Sequence, residues 1–146
     1  AYEVLNGTYR RVSALPEAVL QAFITCDVEI VKILNLIAIL MDSRLFFEFL
    51  REVYNEKIRL GEKEITDRDL NVFFADKAMQ SDVVAGWTDT AVRKLKQCFT
   101  RMMFEAGLLE SSVKPRTIKQ VHIDYRTEEL LTANGLGKYL KAVKGV

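Results

Sequence analysis

The sequence predicts a mainly α protein: a compact multi-helix bundle with a C-terminal winged-helix-like part carrying a small β-hairpin. Three observations lead there. The 146 residues contain only two prolines, Pro16 and Pro115, and few β-branched alternations. Apolar residues, 49% of the chain, recur at helical spacing through most of its length. The period changes only after Gly107, where "LLESSVKPRTIKQVHI" offers two extended candidates, Leu108–Glu110 and Thr117–Ile123, around a Ser/Lys/Pro turn.

Each element follows from local chemistry. Tyr2 to Ser13 reads as a first helix ending in Arg10 and Arg11. Pro16 suits the first turn of a second, running to about Thr25, because its missing N–H is no loss there. Asp27 caps a third, Val28 to Met41, whose only polar stripe is Glu29, Lys32, Asn35 and Asp42, so it is expected at the centre of the bundle. Asp42-Ser43 offers an N-cap to a fourth, Arg44 to Leu60, stopped by Gly61. Thr66 with Asp69 forms a capping box with the shorter acid, opening a fifth helix to about Met79. "QSDVVAGWTDT" reads as a loop, with Trp87 packed as a staple under the helix that follows. Thr88 caps that sixth helix, Asp89 to Ala106, and Gly107 ends it. A last helix starts at Thr127, breaks near Asn134-Gly135 and is completed by "KYLKAVKG". Two halves are expected: residues 1–62 as an N-terminal helical bundle and 63–146 as the winged-helix-like subdomain. The chain opens on Ala1-Tyr2, already inside a helical pattern and without an initiator Met, so upstream residues are expected to be missing.

Ile30 to Leu50 is long enough to span a bilayer, which needs roughly 20 mostly apolar residues. Lys32, Asp42, Arg44 and Glu48 fall within it, however. Each charge near a span's centre costs about 2.5–3.5 kcal/mol, whereas each leucine or isoleucine returns only about 0.3–0.6. The charges win, so no membrane partner is expected. Cys26 and Cys98 lie in apolar contexts with no CxxC and no Cys/His cluster. Both are expected as buried free thiols in a reducing cytoplasm.

Total charge is nearly balanced, 21 Lys+Arg against 20 Asp+Glu. Its distribution is not. Residues 42–82 hold ten acids and seven bases, a balance of −3; residues 88–126 hold eight bases and four acids, a balance of +4. The sixth helix, "TDTAVRKLKQCFTRMMFEAG", concentrates the positive half. At about 100° per residue Val92, Leu95, Phe99, Met102 and Ala106 form its buried face. Arg93, Gln97, Thr100 and Arg101 cluster opposite, with Lys94 and Lys96 at the edges and Phe104 toward the polar side. Arg and Gln read guanine and adenine edges, and Lys and Thr suit phosphate. A helix, a turn, a basic helix and a hairpin bearing Lys114, Arg116 and Lys119 stand in winged helix-turn-helix order, where the second helix enters the major groove and the wing touches backbone. The plain alternative is a solvated basic face.

Other constellations are poorer. His122 is the single histidine, so no metal site is expected, and no Ser or Cys98 pairing suggests a triad. Gly135-Leu136-Gly137 is too short for a phosphate loop. The acids of the fourth and fifth helices, interleaved with Arg51, Lys57 and Arg59, read as local surface pairs. No enzyme, cofactor or small-molecule substrate is expected.

"MDSRLFFEFLREVYNEKIRLGEKEITDRDLNVFFADKA" followed by "GWTDTAVRKLKQCFTRMMFEAGLLE" resembles the BrxA family, an accessory component of BREX bacteriophage-defence systems. The ordered run covers roughly Leu15 to Glu110; beyond Pro115 it fades, and the wing and tail rest on the residues alone. Some members were once labelled inner-membrane proteins, a label the charge arithmetic argues against. The resemblance implies a small, all-helical, non-enzymatic cytoplasmic protein that binds DNA, built of two helical bundles and in part similar to NusB-type RNA-binding antitermination factors. It also implies a basic helical segment upstream, of which Arg10 and Arg11 would be the end and through which they would join the DNA contact. The functional expectation is an accessory protein contacting double-stranded DNA through Arg93, Lys94, Lys96, Gln97 and Arg101, with Lys114, Arg116 and Lys119 on phosphate. The alternatives are a helical adaptor for other defence proteins, suggested by the acidic fourth helix and by Tyr54, Phe73 and Phe104 as half-exposed aromatics, and an RNA-binding protein.

Overall fold

The computed structural model describes residues 15–19, 21 and 28–145. Helix α1, Val28–Asp42, is buried on most sides through Ile33, Leu34, Leu36, Ile37, Ala38 and Leu40, as its narrow polar stripe predicts. No helix among the described residues is long and apolar enough to cross a membrane. The greasy stretch breaks at Ser43, whose extended backbone and hydroxyl, accepting from the Phe46 amide at 3.3 Å, start the next helix.

That next helix differs from the regular one predicted. It runs as α2, Arg44–Phe49, a π-helical turn, Leu50–Tyr54, and α3, Asn55–Arg59. At the junction the Asn55 backbone N–H reaches back five residues to the Leu50 carbonyl. The Asn55 side-chain nitrogen donates to the same carbonyl at 3.2 Å and to Ala142 O at 2.8 Å. The widened turn places Leu50 and Tyr54 both fully inside. Tyr54 was expected to be half-exposed, and so was Phe73; both are buried.

After Gly61, at φ +74°, the chain forms β1, Glu64–Ile65. Helix α4, Asp67–Gln80, opens on the predicted capping box: Thr66 accepts from the Asp69 amide and Asp69 accepts from the Thr66 amide. The segment expected to be a loop contains one helical turn, α5, Asp82–Ala85, because Ser81 accepts from the Val84 amide. Thr88 caps α6, Asp89–Glu105, as expected, and Trp87 packs against the core beneath it.

The predicted hairpin is narrower than expected and has an additional neighbour. Leu109 bridges Ile118, with Glu110 N donating to Thr117 O at 2.9 Å and Lys119 N to Leu108 O at 2.8 Å. The regular sheet instead pairs β2, Arg116–Thr117, antiparallel with β1, in register Glu64↔Thr117 and Ile65↔Arg116. Helix α7, Tyr125–Ala133, begins two residues before the expected start because Asp124 caps it, accepting from the Thr127 amide. The break at Asn134–Gly135 separates it from α8, Gly137–Lys144, which packs on α1 and the π-turn.

One buried cluster takes residues from both 1–62 and 63–146. At its heart Phe99 of α6 meets Phe46 and Phe49 of α2 at ring-centre distances of 4.8 and 5.5 Å, and Phe74 of α4 at 5.6 Å. Such aromatic packing fixes the rotation of α6 about its axis, and therefore which side chains it presents outward.

Candidate nucleic-acid interface

The outward stripe of α6 is Arg93, Gln97 and Arg101, four residues apart and all exposed. Arg101 Nε donates to Glu105 at 3.0 Å, but both side chains are largely solvent-exposed. A pair of this kind is worth only about 0.3–0.5 kcal/mol and yields readily to a phosphate. Lys94 is also exposed. Lys96 is half-buried: its ammonium donates to Asn71 Oδ1 at 2.6 Å and lies over the Phe74 ring, 5.9 Å from the centroid.

Two positions on α6 differ from expectation. Thr100 was placed with the polar stripe, yet it is buried, its hydroxyl donating to Lys96 O at 3.2 Å and Gln97 O at 3.1 Å. The buried face is wider than predicted and takes in Phe99, Thr100, Met103 and Ala106, leaving Val92, Leu95 and Met102 only partly covered. Cys98, expected to be buried, is exposed, because it shares a helical stripe with Lys94, away from the Phe99 contacts. Cys26 lies outside the described residues. Phe104 is exposed, as expected.

Beside α6, the loop before β2 closes a groove of about 550 Å³. It brings together Arg93, Lys96 and Gln97 from the helix with Lys114 and Arg116 from the loop and strand. Ser112 and Asn71 add neutral hydrogen-bonding groups, and Asp67 is the single carboxylate of this lining. Among these lining residues four cations therefore face one anion.

Asp67 matters because of what it holds. One oxygen accepts from Arg116 Nη2 at 2.9 Å and the other pairs with the Lys114 ammonium. Lys114, then Arg116, hold the Asp67 carboxyl below the usual range against a slight opposing effect of burial. Arg116 is deeply set, with Nη1 donating to Ile65 O at 3.4 Å and its buried Nε lacking a protein partner. The structure thus presents Lys114 at the surface and Arg116 mainly as the strut beneath it. Lys119 is exposed but lines a different cleft, beside Phe104, Glu105 and Glu110. Arg10 and Arg11 lie outside the described residues. His122 is exposed, and no cluster that could hold a metal occurs among the described residues.

The family model for BrxA matches residues 1–135. The chain belongs to the BrxA family. BrxA is a protein of BREX systems: the relative from Bacillus cereus (strain H3081.97), BREX protein BrxA, is 36% identical over 143 residues, covering 98% of this chain and 72% of its own length. The BrxA fold recurs in an uncharacterized protein from Magnetospirillum magneticum, whose crystal structure matches at a TM-score of 0.81 and 18% identity, covering 93% of this chain and 71% of that one.

Proposed function

We propose that this BrxA chain is a non-enzymatic accessory protein of a BREX phage-defence system that binds double-stranded DNA. The observation that carries the reading is the groove beside α6, where Arg93 and Lys96 face Lys114, with Asp67 and the deep-set Arg116 holding Lys114 from beneath, and the exposed Arg93–Gln97–Arg101 stripe continues its rim. Arg93, Gln97 and Arg101 face base edges, Lys94 and Lys96 flank them, and Lys114 takes phosphate, with Lys119 outside the groove in the neighbouring cleft. Neutralising phosphates releases counterions, so affinity falls linearly with salt on a log–log scale with a slope near −0.9 per phosphate.

A salt titration of binding to a labelled duplex tests this. The expected slope is roughly −3 to −5, from the five cations assigned to this face, Arg93, Lys94, Lys96, Arg101 and Lys114. Structured RNA should compete poorly. A slope near zero, or RNA displacing the duplex at equal concentration, contradicts the reading.

A further inference from the structure

We propose that the cleft between α4 and the rod made by the π-turn and α3 docks an amphipathic helix of a partner protein, one whose apolar residues are flanked by lysine or arginine. The cleft has a volume of about 510 Å³, within the roughly 300–1,000 Å³ of established binding sites. Its floor is apolar: Val53, Leu60, Val72 and Phe73. Leu60 and Val72 stand 57% and 49% exposed on that floor, so its apolar surface is open to a partner.

The charge around that floor is layered. Lys57 lies 2.6 Å from Glu62 and 2.8 Å from Asp69. Lys77 lies 3.0 Å from Glu48 and 2.8 Å from Glu52. Both lysines are sunk, with side chains only 15% and 9% exposed, and each is matched by two carboxylates. Glu52, Glu56 and Glu62 stand about half exposed above them, at 49%, 48% and 49%. Glu56 is also held by the exposed Arg59 guanidinium outside the cleft, a surface pair that a basic partner can replace. Asp76 adds a further acid and Arg68 is the one exposed cation of the lining. An approaching chain therefore meets carboxylates around an apolar floor, which complements a basic amphipathic segment and repels nucleic acid. Two helices bound the cleft, the setting in which a third helix lays anchors at i, i+3 or i+4, and i+7.

Among the described residues, the two basic helices of a second copy are poor occupants. Helix α8 has its apolar residues, Leu140, Ala142 and Val143, already buried in its own core. The basic helix α6 is likewise committed through Phe99 and Met103.

The test uses a labelled designed peptide with leucines at helical spacing and lysines elsewhere, and a matched peptide with glutamate for lysine. The lysine peptide should bind the protein saturably and shift the amide resonances of Val53, Leu60 and Val72. Leu60→Ser with Val72→Ser, both at exposed positions, should weaken it at least tenfold, and Glu56→Lys with Asp76→Lys should do the same. Folding of each variant is checked by far-UV circular dichroism and thermal melting, so the result stands whether or not DNA is bound. Equal binding of the glutamate peptide, unchanged affinity in folded variants, or shifts confined to α6 would overturn the proposal. So would self-association of the protein abolished by the same substitutions, which would give the cleft to a second copy.

Discussion

Lys77 sits buried with its charge intact because two carboxylates come to it. Burial disfavours the ammonium, but hydrogen bonds to Glu52 and Glu48 outweigh this and hold it above its ordinary value. Burial likewise opposes ionisation of Glu48, and Lys77 with Arg44 holds it below 4.5. For Asp69, burial is again overcome, by Lys57 and the Thr66 amide, and the carboxyl lies below 3.8. Depressed carboxylates bind fewer protons folded than unfolded, so their stabilisation is present above these ordinary values and is lost as pH falls through and below them. Raised lysines lose theirs only above about 10.5. Stability from urea unfolding should therefore decline from pH near 5 toward 3. Lys77→Met leaves Glu48, one-quarter exposed, and the half-exposed Glu52 without their cation but open to water. It should lower stability at neutral pH by no more than about 1 kcal/mol and should flatten the acid limb; an unchanged limb would count against the cluster. The sequence pattern missed this cluster because it searched for local pairs. Arg44–Glu48 and Arg59–Glu56 are such pairs, but Lys77 is 25 residues from Glu52 and no spacing rule joins them. Asp67 supplies a second prediction at this scale. It neutralises Lys114 over the proposed DNA groove, so Asp67→Asn should tighten duplex binding a few-fold and steepen the salt slope by up to about 1. Weaker binding by a folded variant would show that Asp67 organises the site and does not restrain it.

Among the elements, those with strong end signals were legible. Ser43, Thr66, Thr88 and Gly107 mark real boundaries because each satisfies, or permits the satisfaction of, backbone groups left open at a helix end. The π-turn was not legible, since Leu50–Tyr54 has ordinary helical spacing and the Asn55 side chain that braces it reaches Ala142 O, a long-range contact. Strand β1 was missed because two residues carry no alternation. Asn55→Ala removes both side-chain hydrogen bonds and leaves Ala142 O without that donor. The expected loss is about 1–2 kcal/mol, with faster hydrogen exchange confined to α8 and the π-turn; uniform exchange throughout would contradict this role for Asn55.

At the scale of the molecule, the linear charge asymmetry becomes two separate surfaces that share α4 as a wall. Asn71 and Asp67 line the cationic groove, whereas Val72, Phe73 and Asp76 line the acidic cleft. The sequence shows the −3 and +4 segments, but not that one helix divides them. On the two proposals, an anionic polymer and a basic partner would meet different faces, and neither would compete for the other's residues. The face assigned to DNA stands or falls on Arg93 and Arg101, which are exposed. Reversing them exchanges the surface Arg101–Glu105 pair for a like-charge contact that costs only about 0.2–0.5 kcal/mol, too little to unfold the chain. Duplex binding by Arg93→Glu with Arg101→Glu, measured by fluorescence anisotropy at low salt, is the most direct test. Affinity should fall by at least two orders of magnitude, with the melting temperature lowered by no more than a few degrees. Wild-type affinity in the double variant would contradict the DNA assignment.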